Sequence, residues 1–296
     1  MRLPFARFTL PAFRGRQSAP ASTPVALELY IECAMQSEVG RVRTTNEDAV
    51  AFVAPDAGSP ESSVGFLALV ADGMGGHAAG EMASAIAAET IPRVVYAFAG
   101  APAEALAKAL GEAHQAILEY AEVHPDAQGM GTTCTAALVR EGDLWLAQVG
   151  DSRAYLFRDG VLERLTEDQT LHAQLMRDGV MTPEEAAAMP GGNIILQALG
   201  ARKAVSPVVS DQPKKLLPGD LLLLCSDGLH GYVAEKEIAA VLTSGPPGAA
   251  CRALIDRANA AGGFDNVSVG VFRFTNSPPV RARAGAATRA LAADGA

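Results

Sequence analysis

The chain has 296 residues, of which 49% are hydrophobic and 5% aromatic, and carries a formal net charge of −9. That length and apolar share build one large core or two small ones, and the acidic balance argues against a general nucleic-acid or membrane-surface role, since phosphates would repel it. Cysteines at 33, 134, 225 and 251 show no C-x-x-C spacing, so no zinc cluster or disulfide framework is readable and a reducing compartment is favoured. No apolar stretch reaches transmembrane length and the N-terminus lacks a signal-peptide core, so a cytoplasmic protein is expected.

In chain order, residues 1–25 are rich in Pro, Ala and Arg (Arg2, Arg7, Arg14, Arg16) and predict a flexible basic arm. A similar tail is predicted over 276–296, leaving one continuous domain over 26–275. Strand-like pieces come first, at 26–37, "GRVR" (40–43), "AVAFVA" (49–54) and "GFLALVA" (65–71). Two helices follow, the second with Leu106, Leu110, Ala113, Ile117 and Tyr120 on one apolar stripe. The segment 131–166 reads as a strand meander, with turns at Glu141-Gly142-Asp143, Gly150-Asp151 and Asp159-Gly160. "TLHAQLMRDG" and "TPEEAAAM" predict short helices, "DLLLLCSDG" a buried strand followed by two helices, and "DNVSVGVFRF" the closing strand.

Helices therefore come in pairs between groups of sequential strands. This order disfavours a dinucleotide fold, even though "GMGGHA" (73–78) fits the glycine fingerprint. There the second helix replaces the expected second strand, and Asp72 would repel a pyrophosphate.

Four carboxylates stand where a buried strand meets a loop. Asp72 ends "GFLALVAD", Asp227 ends "LLLLCSD", Asp151 follows Gly150 between two apolar runs, and Asp265 opens the last strand. Each alone is a turn or capping residue. Gathered on one sheet edge they are unfavourable unless a cation or protons neutralise them, and oxygen-only ligands suit Mg²⁺ or Mn²⁺. Asp159-Gly160 and Asp178-Gly179 are explained by a hairpin turn and a helix end. In "SEVGRVRTTNEDAV" (37–50), Arg43 precedes Glu47-Asp48 closely. In isolation this is a solvated strand arginine with a capped turn; as a site, Arg43 offers a planar donor fork to a phosphate, and the acids orient water on metals.

The ordered blocks "VGRVRTTNEDA", "VADGMGGHAAGE", "GMGTTCTAAL", "VGDSRAYLFRDG", "LTEDQTLHAQLMRDGVMTPEEA", "LLCSDGLHGYV" and "GGFDNVSVGVF", spanning 38–272, closely resemble the metal-dependent protein phosphatases of type 2C, in their bacterial serine/threonine branch. The resemblance implies an α+β fold, a four-layer αββα sandwich of two antiparallel sheets flanked by pairs of helices. It implies hydrolysis of phosphoserine and phosphothreonine in proteins by a hydroxide bridging two divalent cations, Mn²⁺ or Mg²⁺, opposing a bacterial serine/threonine kinase.

Position by position, the resemblance makes Asp72 the bridging ligand, Asp227 and Asp265 ligands of the first ion, and the Gly73 carbonyl a ligand of the second. Glu47 contacts that second ion through water, Asp151 matches a ligand of a weaker third ion shared with Asp227, and Arg43 binds the substrate phosphate. Arg43, Asp72 and Asp227 are the catalytic set. Departures from the family are Glu38 for Asp, Met74 at the place of a eukaryotic general-acid His, and Gln169, Met189 and Gln197 in the flap-like stretch 169–200. His77 is a second candidate proton source and, as a loop residue, a packing residue. The alternative function is a catalytically silent phosphatase-fold protein that binds phosphoproteins or regulates a partner; the intact carboxylate set favours activity. The expected partners are phosphorylated proteins and a kinase, without nucleic acid or membrane, and a monomer is expected.

Overall fold

The computed structural model describes residues 6–9, 29–56, 59–76, 78–189, 191, 194–201 and 204–277. Its strands are β1 (Ala6–Thr9), β2 (Tyr30–Glu38), β3 (Asp48–Val53), β4 (Phe66–Met74), β5 (Gly131–Thr132), β6 (Cys134–Arg140), β7 (Asp143–Val149), β8 (Arg153–Arg158), β9 (Val161–Arg164), β10 (Val208–Val209), β11 (Lys214–Lys215), β12 (Leu221–Cys225) and β13 (Val267–Thr275). The helices are α1 (Ala78–Ala97), α2 (Pro102–Val123), α3 (Leu171–Arg177), α4 (Pro183–Ala188), α5 (Asp227–His230), α6 (Glu235–Leu242) and α7 (Pro247–Ala260).

Two antiparallel sheets form. One runs β1-β2-β13-β12-β8-β9; the other runs β10-β7-β6-β4-β3, with β11 on β7 and β5 on β4. The alternation of side chains along each strand explains the layering. On β4, Leu67, Leu69 and Ala71 pack with α1 and α2, among Ile91, Val95, Leu106, Leu110, Ala113 and Ile117. The alternate residues Phe66, Ala68 and Val70 meet Ile31, Leu222, Leu224, Phe272 and Phe274 of the other sheet. The opposite face of that sheet, with Tyr155, Leu223, Val269 and Val271, is covered by Ile238, Leu242, Leu254 and Ile255 of α6 and α7. The four-layer αββα sandwich is thus built by period-two strands between two apolar helix pairs.

The turns follow local chemistry. Glu141-Gly142 and Asp159-Gly160 both take positive φ at each residue (54° and 79°, 51° and 84°), as a two-residue hairpin turn requires. Asp178 caps α3 and Gly179 follows at φ 68°. Thr182 accepts from the Glu185 N–H while Glu185 reaches back to the Thr182 N–H, fixing the start of α4. All four cysteines are buried, and burial pushes each thiol up to about 12, which leaves them unreactive.

Three features differ from the sequence reading. "GRVR" is a loop, not a strand: its backbone leaves the ladder, and Arg41 and Val42 donate to the Gly263 carbonyl instead. Ala6–Thr9, inside the segment read as arm, pairs as an edge strand with Tyr30–Cys33; the rest of 1–25 and the tail from 278 lie outside the described residues. The two-residue strands β10 and β11 are too short to leave a periodic pattern.

Phe66 is fully buried, with its ring centroid 5.8, 5.9 and 6.2 Å from those of Phe52, Phe272 and Phe274. Phe66→Ala should lower unfolding stability in a denaturant titration by about 3–5 kcal/mol; a loss below about 1 kcal/mol would contradict a packed inter-sheet core.

Candidate active site

Strand ends from both sheets converge on one edge of the sandwich. Asp72 and Gly73 lie near the end of β4, and Asp48 opens β3 directly opposite Asp72 in the ladder. Asp227 is the first residue of α5, two positions after β12, and Asp151 lies in the turn between β7 and β8. Asp265 precedes β13, and Arg43 and Glu47 lie on the loop between β2 and β3.

Like charges placed across a ladder and buried together oppose ionisation. Burial, then Asp48, Asp227 and Asp151, hold the Asp72 carboxyl well above its usual range, and it shares a side-chain hydrogen bond with Asp227. That bond raises Asp72 and lowers Asp227, as it does when Asp72 is the donor and Asp227 the acceptor. Asp227 is itself raised, by burial and by Asp265. Burial and the neighbouring carboxylates push Asp48 and Asp151 each up to about 7.

Arg43 supplies the nearest countercharge. Its Nη2 lies 2.9 Å from Asp265 Oδ2, and Asp265, Glu47 and Asp72 raise its own pKa against the opposing effect of burial.

Backbone packing explains the glycines. A Cβ on Gly73 would lie 2.1 Å from the Gly80 carbonyl oxygen and 2.5 Å from that of Glu47; one on Gly80 would lie 2.0 Å from Glu47 Oε2. The β4 end, the Glu47 loop and the first turn of α1 therefore touch backbone to backbone, and the Glu47 carboxylate rests against Gly80.

A polar frame fixes these elements. Asp72 donates its N–H to Thr133 Oγ1 at 3.0 Å, and its carbonyl accepts from the Thr133 N–H at 2.8 Å and from Thr132 Oγ1 at 2.9 Å. Thr133 Oγ1 lies 2.7 Å from Ser152 Oγ, which ties the Asp72 strand to the Asp151 turn. Asn266 accepts from the Glu47 N–H at 2.8 Å and donates to the Val39 and Thr45 carbonyls. Ser226 Oγ donates to Asp48 Oδ2 at 2.8 Å. His230 Nε2 is 3.1 Å from the Asp151 carbonyl; burial pushes that imidazole down to about 3, so it is neutral and donates.

All six site residues carrying Asp, Glu or Arg side chains therefore reach one edge. Asp48, read only as part of an acidic pair, joins them at its centre. Thr132, Thr133, Ser152, Ser226, His230 and Asn266 were given no role from sequence; Ser152, Ser226 and Asn266 adjoin Asp151, Asp227 and Asp265 in the chain, whereas Thr132 and Thr133 stand beside none of the site carboxylates. Of the flap substitutions, Gln169 Oε1 accepts from the Gly150 N–H at 2.7 Å, while its own N–H donates to the Gly150 carbonyl at 3.0 Å. Gln197 Oε1 accepts from the Ser206 N–H at 3.2 Å, and Met189 is surface-exposed. Glu38 accepts from Asn259 and pairs with Arg41. Met74 closes β4, and His77 lies outside the described residues.

Among the described residues no three Asp, Glu, His or Cys side chains already form a closed cage around one point. The donor set nevertheless fits hard cations. Asp48 Oδ1, Asp151 Oδ1 and Asp227 Oδ1 are buried without a hydrogen-bond partner, and every candidate ligand is oxygen.

Residues 40–246 match the family model described as protein phosphatase 2C. The chain belongs to the protein phosphatase 2C family. The serine/threonine protein phosphatase PstP of Mycobacterium tuberculosis is 38% identical over 244 residues, 81% of this chain. The chain spans only 44% of that relative's length. The serine/threonine phosphatase stp of Listeria monocytogenes is 36% identical over 240 residues, 79% of this chain and 92% of the relative. The crystal structure of the PstP catalytic domain with two manganese ions superposes with a TM-score of 0.72 at 36% identity, covering 83% of this chain and 99% of that one. Asp265 lies beyond the residues matched by the protein phosphatase 2C model, and its contact with Arg43 is what joins it to the site.

A carboxylate whose folded pKa is raised stabilises the fold below its unfolded pKa, and that contribution is lost as pH rises through the folded value. For Asp48 and Asp151 the window runs from about 4 to about 7. The rise in Tm produced by Mn²⁺ should therefore be larger at pH 7.5 than at pH 5, as read by thermal melts with and without EDTA. A shift that is flat or larger at pH 5 would contradict the carboxylate assignment.

Proposed function

We propose that this protein hydrolyses phosphoserine and phosphothreonine in proteins, using two Mn²⁺ or Mg²⁺ ions. Family membership supports the reaction class, and the observation that carries it to this chain is the set of buried, unpartnered carboxylate oxygens on one sandwich edge. Asp72 would bridge the ions, with Asp227 and Asp265 on the first and the Gly73 carbonyl on the second, where Glu47 acts through water. Asp151, together with Asp227, would hold a third, weaker ion. Bound there, divalent cations supply Lewis-acid charge for an in-line displacement at phosphorus.

The chain's own residues do the rest. Arg43, half-exposed at the rim and paired with Asp265, presents the remainder of its donor fork to a phosphate. Asn266 and Thr133 hold the Glu47 loop and the Asp72 strand in place, and Ser226 anchors Asp48 beneath them. We also propose a kinase-opposing role in the cytoplasm, a monomeric state, and an N-terminal arm and C-terminal tail flanking the domain. Among the described residues no helix is long and apolar enough to cross a membrane.

The test is hydrolysis of a phosphothreonine peptide with Mn²⁺, with Mg²⁺ and with EDTA. Turnover is expected with metal and absent with chelator. Asp227→Asn should lower kcat/KM by more than the ~10–100-fold typical of residues that only orient ligands. In metal-free protein the same variant should melt at or above the wild-type temperature, because it removes one buried negative charge. Wild-type-like turnover by this variant would overturn the site assignment.

A further inference from the structure

Two exposed aromatic rings stand beside the carboxylate edge and take no part in holding it. Tyr232 and Phe264 are 42% and 52% exposed, and their ring centroids are 5.5 Å apart at an interplanar angle of 36°. Two large rings held together in water, tilted against each other, leave an ordered apolar surface of the kind that marks a contact site.

Their anchorage is specific. Phe264 immediately precedes Asp265, whose carboxylate binds Arg43. Tyr232 follows α5, the element that Asp227 opens, and donates its N–H to the Leu229 carbonyl. The Phe264 ring folds over Gly262, where a Cβ would lie 2.1 Å from it, so a glycine makes room for the ring's position. Gly263 in turn accepts from the Arg41 and Val42 N–H groups at 2.8 and 3.1 Å. The Phe264 segment and the Arg43 loop are thereby hydrogen-bonded into one rim, which also carries the exposed Val42 and which Tyr232 joins by its ring contact. Tyr232 lies close enough to Asp227, Asp265 and Arg43 for all three charges to act on its hydroxyl.

We propose that the Tyr232–Phe264 pair is a specificity platform that receives an apolar side chain of the substrate polypeptide, within about three residues of the phosphorylated one. This rests on the reading of Arg43 as the phosphate-binding residue. A polypeptide advances 3.3–3.6 Å per extended residue, so a phosphoresidue held at Arg43 lays its near neighbours across this rim. The occupant is apolar because the exposed surface is aromatic, and the Arg43 and Asp265 side chains nearby are paired with one another.

The experiment measures kcat/KM with Mn²⁺ for a phosphothreonine peptide flanked by glycine, and for a series with one leucine placed at each position from three before to three after. For wild type, at least one leucine position should exceed the glycine peptide by about tenfold, equivalent to ~1.4 kcal/mol. Phe264→Ala and Tyr232→Ala should each cut that ratio to within about twofold while leaving the glycine peptide's rate unchanged. Tyr232→Phe, which keeps the ring, should retain the preference.

A wild type that turns over the glycine peptide but shows no leucine preference would overturn the platform while sparing the phosphatase reading. No turnover of any peptide by folded, metal-loaded protein would overturn both. A wild type without preference that sediments as a dimer, dissociated by Phe264→Ala, would assign the rings to a second copy of the chain instead.

Discussion

Mutual repulsion among buried carboxylates is the constraint around which this sandwich is organised. Asp48 and Asp72 face each other across a ladder, Asp227 shares a hydrogen bond with Asp72, and Asp151 presses from the adjoining turn. A folded protein does not gather such groups without a countercharge. Arg43 offsets part of the charge through Asp265, and burial with the neighbouring carboxylates pushes Asp72 toward its protonated form. Divalent cations would replace those protons, so metal affinity and acidity are two sides of one equilibrium.

The surroundings make sense as devices that resist this repulsion. Two apolar layers, one on either side of the paired sheets, fix the strands whose ends bear the charges. The Thr133–Ser152 contact ties the β5–β6 junction, which also accepts the Asp72 N–H, to the residue before β8, and Asn266 stitches the Glu47 loop to the start of β13. His230 spans from α5 to the Asp151 carbonyl, so the helix bearing Asp227 also restrains the Asp151 turn. Gln169, one of the departures from the family pattern, grips Gly150 from both sides and anchors the flap to that same turn.

Much of this was legible in the residue order. The apolar stripe of α2, the turns at 141–143 and 159–160 and the short helix at "TPEEAAAM" are local signals, and each appears where its chemistry requires. The carboxylates were visible because each interrupts an apolar run, and the family resemblance joined them into one site. What stayed hidden was long-range. The "GRVR" loop alternates like a strand, yet its N–H groups go to Gly263, more than two hundred residues away. Asp48 read only as half of an acidic pair, because only the β3–β4 register sets it against Asp72. The Thr and Ser hydroxyls that brace the site carry no pattern of their own, and the tilted Tyr232–Phe264 pair joins two segments that the sequence keeps apart.

Calorimetric titration of Mn²⁺ into EDTA-stripped protein at pH 6.5, repeated in buffers of different ionisation enthalpy, tests the central claim most directly. The account predicts saturable binding of at least two ions, with protons released as the ions enter the carboxylate edge. Binding without proton release, or no binding by folded protein, would contradict it.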